Sequence, residues 1–168
     1  TWDISADLGE LATQDVAVVS AGAKSILDLP KTLEVLETHG VTVLGFGTDE
    51  FPAFFTPKSG LKLPHHVRDA EEAAKVMHAK WALGLSGGLV VANPVPEAEG
   101  FDAGSATEQA MEEASLQGIE GKALTPFLLQ RIAEITDGQS LTANVSLVKH
   151  NAKVGTAIAV AYTSLQTP

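Results

Sequence analysis

The 168-residue chain is 45% hydrophobic and 19% charged, long enough for one domain with a buried core and too apolar for a disordered one. Its net charge is −10 and its eleven Lys and Arg residues are scattered, which excludes sequence-independent nucleic-acid binding, since phosphate neutralisation needs clustered cations. There is no cysteine for a disulfide framework or thiolate zinc site, consistent with a reducing, cytoplasmic setting, and no apolar run approaches the ~18 residues of a membrane span. The opening text, "TWDISADL", has neither signal- nor transit-peptide character and no initiator Met, and reads as the middle of a longer polypeptide.

In chain order, "VAVVSA" (16–21) is a β-branched run bounded by Gly22, predicting a buried strand. Residues 24–39 read as a helix with Ile26, Leu27, Leu33 and Leu36 on its apolar side. Pro30 divides that stretch into a turn and a longer helix, and His39-Gly40 stops it. "VTVLGFG" (41–47) is a second strand. Residues 48–70, with Pro52, Pro57, Gly60 and Pro64, read as a long irregular loop of the kind that often carries function. A helix over 70–84 places Ala73, Ala74, Met77 and Trp81 on one face, and "GGLVVANP" (87–94) is a third strand ending in the turn "NPVPE". Helices follow at 105–117 and 126–136, the latter with Thr125 as N-cap, Pro126 at the first helical position and Gly138 past the end. The last helix, 140–165, repeats Leu141, Val145, Val148, Ala152 and Ala159 at helical spacing. Strands joined through helices imply parallel pairing and a layered α/β/α fold, with ligands at the strands' carboxyl ends. Lys24, the 48–58 loop and "NPVPE" all fall at such ends.

Lys24 is no Walker A lysine: the two glycines that motif requires are Ala23 and Val18 here. As a cation at a helix start it opposes the helix dipole, and that dipole together with partial burial lowers an amine's pKa toward the neutral nucleophile of Schiff-base chemistry. The plain alternative is a surface lysine. In "DISAD", Asp3, Ser5 and Asp7 share one face if the segment is extended, a set of oxygens fit for a hard cation or a sugar; a turn or helix-capping role is the commoner use of such text. Phe51, Phe54 and Phe55 of "GTDEFPAFF" read as core rather than lid. Asn144 and Asn151 share a stripe of the last helix bordering its apolar face, and such amides take neighbouring backbone or a ligand as partner, backbone being the default. The five histidines show no ligand spacing, and surface or helix-end roles are expected for all of them.

The ordered blocks "DISADL", "VAVVSAGAKSILDLPKTLEVLETHGV", "GTDEFPAFF", "WALGLSGGLVVANPVP", "GKALTPFLL" and "SLTANVSLVKHNA" resemble the pseudouridine-5′-phosphate glycosidases and their indigoidine-synthase-A-like relatives over nearly the whole chain. The resemblance implies reversible cleavage of the C–C glycosidic bond of pseudouridine 5′-phosphate to uracil and ribose 5-phosphate. By matching position it implies Lys24 as Schiff-base nucleophile, Asp3 as ligand of a divalent metal, usually Mn²⁺, and Ser5, Ala6 and Asp7 as a substrate-contact segment. An Asn of the last helix, Asn144 by position with Asn151 as the other choice, belongs to the same site. A homotrimer is implied, with no membrane or nucleic-acid partner.

The resemblance also implies that residues 1–168 form the C-terminal, α/β portion of a longer glycosidase. Its general-acid Glu and a further substrate-binding Lys lie in an upstream segment that acts as this chain's partner. Around "LPHHVRDAEE", His66 to Asp69 stand one step out of the family register. Two other readings stand beside the glycosidase: an aldolase-type Schiff-base lyase acting on another sugar phosphate, and a non-catalytic assembly half that is inactive without the upstream segment.

Overall fold

Among the residues that the computed structural model describes, 5–23 and 27–166, four strands make one parallel sheet. They are β1 (Ala17–Ser20), β2 (Thr42–Phe46), β3 (His66–Val67) and β4 (Leu89–Ala92), in the order β1-β4-β2-β3. Val90 of β4 stands opposite Val18 on one side and Val43 on the other, and Gly45 pairs with His66. As β4 is flanked on both sides, its whole length is buried, which is why "LVVA" shows no polar alternation.

Period-two geometry then distributes the helices. Leu89 and Val91 turn to the face covered by α3 (Ala70–Ala82) and α6 (Gln139–Gln166), packing with Ala73, Met77, Val154 and Ile158. Val90 turns to the opposite face, against Leu8 of α1 (Asp7–Thr13) and Leu36 of α2 (Leu29–Thr38). The layered α/β/α expectation therefore holds. A further cluster forms where α4 (Gly104–Leu116) and α5 (Leu124–Ile135) pack on the first half of α6: Ala106, Ala110, Leu128, Ile132, Ala143 and Leu147 enclose Ala21, Phe55 and Val95. Arg131 ties α5 to α4 through two hydrogen bonds to Glu113, at 2.5 and 3.0 Å.

Local chemistry sets the helix ends. The Asp28 carboxylate accepts from Lys31 N–H at 3.1 Å and Pro30 sits in the first turn, where its missing donor costs nothing, so the helix starts after the predicted turn. Asp69 caps α3 by accepting from Glu72 N–H at 2.9 Å, while the Glu72 carboxylate reaches back to accept from Arg68 N–H at 2.8 Å.

Several expectations are corrected. The 48–70 stretch is not wholly irregular: His66 and Val67 form β3, a two-residue strand too short to show periodicity, and the out-of-register residues around Arg68 and Asp69 lead into the cap of α3. A 3₁₀ turn, Gly121–Ala123, feeds directly into α5, so Thr125 and Pro126 lie inside its first turn and Thr125 is not the cap. The described part of "DISAD" is not extended: Ala6 is helical in backbone, Asp7 opens α1, and the Ser5 hydroxyl accepts from Asp7 N–H at 3.3 Å, the local turn role. Finally, α6 buries a different stripe from the one anticipated. Leu141, Val145, Val148, Ala152 and Ala159 are exposed, and Ala143, Leu147, Val154 and Ile158 face inward. Both sets fit helical spacing, and it is the fit against Leu89, Val91 and the α4–α5 pair that selects one.

Candidate active site

The carboxyl ends of β1 and β4 continue their ladder one step past the strands: Asn93 N–H donates to Ser20 C=O at 2.8 Å. Beyond Ser20, Ala21 C=O accepts from Phe54 N–H at 2.9 Å, and Gly22 bridges Ala53. Gly22 has φ +77°, and a Cβ there would overlap the Pro52 carbonyl oxygen. Only glycine allows the 52–54 backbone to come this close. The loop predicted to approach Lys24 is thus pinned to the two residues that open its connection. Lys24 itself, like Asp3, lies outside the described residues.

The loop is held from within. Phe51 N–H donates to Leu61 C=O and Leu63 N–H to Asp49 C=O at 2.8 and 2.9 Å, and the Ser59 hydroxyl donates to Phe51 C=O. Lys62 pairs with Asp49 at 2.7 Å, and its ammonium holds the Asp49 carboxyl below the usual carboxylate range. Phe51 and Phe55 are buried, as the core reading required. Phe54, stacked edge-on against Phe55 at 4.7 Å, has φ +62°, an uncommon backbone state for a bulky residue that persists only where its surroundings fix it. That strain sits one hydrogen bond from Ala21. The turn after β4 closes on the same place: Phe101 N–H donates to Phe55 C=O at 3.0 Å and the Thr56 hydroxyl to Phe101 C=O at 3.3 Å.

On one side of the sheet, α1 runs counter to the strands. Leu8 packs at the level of Val90, and Leu11 C=O, one turn later, accepts from Gly88 N–H just before β4. Ser5, Ala6 and Asp7 therefore lie at the end of α1 directed toward the strands' carboxyl ends. On the other side, Asn144 is half-buried beside Ala143 and Leu147 in α6. Among the described residues no hydrogen bond or ion pair joins Ser5 or Asp7 to Asn144 or to the 48–57 loop, so the described candidates border one end of the sheet without a polar link between them.

Sequence reasoning missed a polar cluster between the two apolar layers of α6. Asn93, 1% exposed, donates from Nδ2 to Asn151 Oδ1 at 2.9 Å and lies 3.2 Å from His150 Nδ1, which is itself 3.3 Å from Pro94 C=O. His150 is thus half-buried in the middle of a helix rather than at a helix end, and the Asn151 oxygen accepts from a side chain rather than from backbone. A usable signal existed: Leu89, Val91 and Asn93 share a face, so an amide follows two buried hydrophobes in the strand's own period. Among the described residues no three His, Asp or Glu side chains converge on a possible metal position, and no helix is long and apolar enough to cross a membrane.

Comparison with known proteins adds what the geometry alone lacks. Residues 1–161 match the family model described as indigoidine synthase A like protein. The pseudouridine-5′-phosphate glycosidases of Caldanaerobacter subterraneus subsp. tengcongensis and Alkaliphilus metalliredigens are 60% and 56% identical to this chain over 163 and 164 residues, covering 95% and 96% of it but 53% of each relative. The chain spans about half the length of the curated relatives it matches. Among solved structures, the prealnumycin C-glycosynthase AlnA in complex with ribulose 5-phosphate superposes with TM-score 0.89 at 32% identity, over 98% of this chain and 55% of that one. An indigoidine synthase A-like protein of Thermotoga maritima gives TM-score 0.83 at 38% identity, over 96% of this chain and 53% of that one.

Proposed function

Because the chain belongs to the indigoidine synthase A-like family, we propose that it carries the nucleophile half of a pseudouridine-5′-phosphate glycosidase. The observation that bears most weight is the 60% identity with a relative of that name across 95% of the chain. The sugar phosphate held by the C-glycosynthase neighbour supports the substrate class.

In this reading the neutral Lys24 amine attacks the anomeric carbon and the ribose ring opens. The C–C bond then breaks with its electron pair going to uracil C5, which takes a proton, and water hydrolyses the remaining imine to free Lys24 and ribose 5-phosphate. A carbon leaving group is far poorer than an N-linked base, so the bond breaks only once the Lys24 nitrogen on the sugar carbon can donate its lone pair and leave that carbon as an imine. Ser5 to Asp7 and Asn144 hold the sugar phosphate from the two sides of the sheet. Asp3 with solvent would hold a divalent cation, Mn²⁺ by family resemblance, which would supply positive charge to an anionic substrate. A partner segment accounting for the rest of the relatives' length supplies the general-acid Glu. Among the described residues β1 has no strand on its outer side, and Val18 with the preceding Val16, 39% and 43% exposed, supports placing a strand of such a segment there. Assembly as a homotrimer and a cytoplasmic location complete the proposal.

The test is direct. Ribose 5-phosphate with borohydride should leave a reduced secondary-amine adduct on Lys24, located by peptide mass spectrometry, and Lys24→Ala should abolish it. Addition of the N-terminal half of the Caldanaerobacter relative should then allow uracil release from pseudouridine 5′-phosphate. An adduct without uracil release favours an aldolase-type lyase; absence of an adduct overturns the assignment of Lys24.

A further inference from the structure

The inner stripe of α6 is apolar at both ends and polar in the middle. Val154 and Ile158 pack with Leu89 and Val91, Ala143 and Leu147 pack with Ala21, Phe55 and Val95, and Asn151 and His150 lie between, where α6 passes the carboxyl end of β4. Facing them is Asn93, the next residue after Leu89 and Val91 on that side of the strand. Helix-to-sheet packing alone favours another hydrophobe here, since a buried amide costs free energy unless fully bonded, and replacing both members of such a pair by apolar groups is often neutral.

The arrangement does fix a direction. Asn93 uses its amide nitrogen on the Asn151 oxygen, which obliges the Asn151 carboxamide to keep its own NH₂ turned away from Asn93. That NH₂ has no acceptor among the described residues, and Asn151 is half-buried, so its donors are not sealed in the core. Asn93 is also bonded through its backbone to Ser20, on the strand that leads to Lys24. A preset pair of N–H donors beside that strand end suits an oxygen-rich ligand such as a sugar phosphate.

We propose that Asn93 is a positioning residue that holds the Asn151 carboxamide with its donors toward a sugar-phosphate oxygen, forming a binding subsite distinct from Asn144. The proposal rests on the sugar-phosphate reading above, and concerns an oxygen that does not react. Its signature is therefore in affinity rather than in the chemical step. Asn93→Asp keeps the side-chain shape but can only accept, so the Asn151 carboxamide turns to donate to it and offers its oxygen to the ligand instead.

Two measurements on the chain test this. In ¹⁵N-labelled protein, ribose 5-phosphate should shift the Asn151 side-chain amide resonances. In borohydride trapping at Lys24, Asn93→Asp should raise the half-saturating ribose 5-phosphate concentration about tenfold and leave the saturated rate within about twofold. Asn151→Ala should show the same loss, and the double variant no further loss, whereas two independent structural defects would multiply. Unchanged half-saturation in a folded Asn93→Asp overturns the proposal. If that variant does not fold, unchanged half-saturation in the milder Asn151→Ala overturns it, and so do unmoved Asn151 resonances. Shifted resonances without a Lys24 adduct sustain the subsite and overturn the Schiff-base assignment instead.

Discussion

At one edge of the sheet β3 contributes two residues, with His66 exposed, and the chain turns at once into Arg68, Asp69 and Glu72. At the other edge β1 runs for four residues and, among the described residues, has no strand on its outer side, with Val18 and the preceding Val16 exposed. The first edge is short and charged, the usual protection against unwanted strand pairing; the second is apolar and open. The difference teaches that exposure on β1 is not a property of its residues. Val18 and Val43 flank the same Val90, yet Val90 is 5% exposed because it has neighbours on both sides. The partner segment of the proposed function is placed at this edge for that reason.

The largest expected effect contrasts that edge with the centre. Leu89→Ala should destabilise the chain by about 2–5 kcal/mol, because the cavity lies under α3 and α6. Val18→Ala should stay within about 0.5 kcal/mol in the chain alone. Denaturant unfolding compares the two, and equal losses would break the distinction between centre and edge.

Next is the carboxyl end of β1. Gly22→Ala should cost about 1–3 kcal/mol, since the added methyl meets the Pro52 carbonyl and the backbone has φ +77°. Thermal unfolding reads the loss, and Lys24 trapping should fall with it if the 52–54 backbone positions that connection.

The smallest effect belongs to the charged edge. Hydrogen bonds from the Arg68 guanidinium, then from its backbone N–H, lower the Glu72 pKa from an ordinary 4.5 to about 2. A carboxylate depressed in the folded state stabilises fully above the unfolded value and loses its contribution as pH falls through the folded one. Melting temperature should therefore drop between pH 4.5 and 2 more in the parent than in Glu72→Gln, slightly, as the pair is solvent-exposed. Parallel curves for the two proteins would remove the ion pair from the account of that edge.

Much of the frame was legible in order of sequence. The strands at 16–21, 41–47 and 87–94 announce themselves because valine-rich runs bounded by glycine leave few alternatives, and the helix from 70 shows in its apolar spacing, whereas the caps Asp28 and Asp69 emerge only in the structure. Phe51 and Phe55 were correctly assigned to the core, and the approach of the 48–58 loop to the end of β1 followed from parallel topology. By contrast, β3 is two residues long and α1 is seven, too little text for periodicity to register.

What tertiary structure alone decided concerns choices the sequence leaves even. The last helix carries two apolar stripes, and nothing within it ranks Leu141, Val145 and Val148 below Ala143, Leu147 and Val154; the shape of the sheet face and of the α4–α5 pair does. The partnership of Asn93 with Asn151 spans 58 residues and exists because β4 and α6 meet at one level. Local bonds and side-chain period are written into consecutive residues, whereas which face is covered, and which polar group finds which, depends on surfaces brought together from distant parts of the chain.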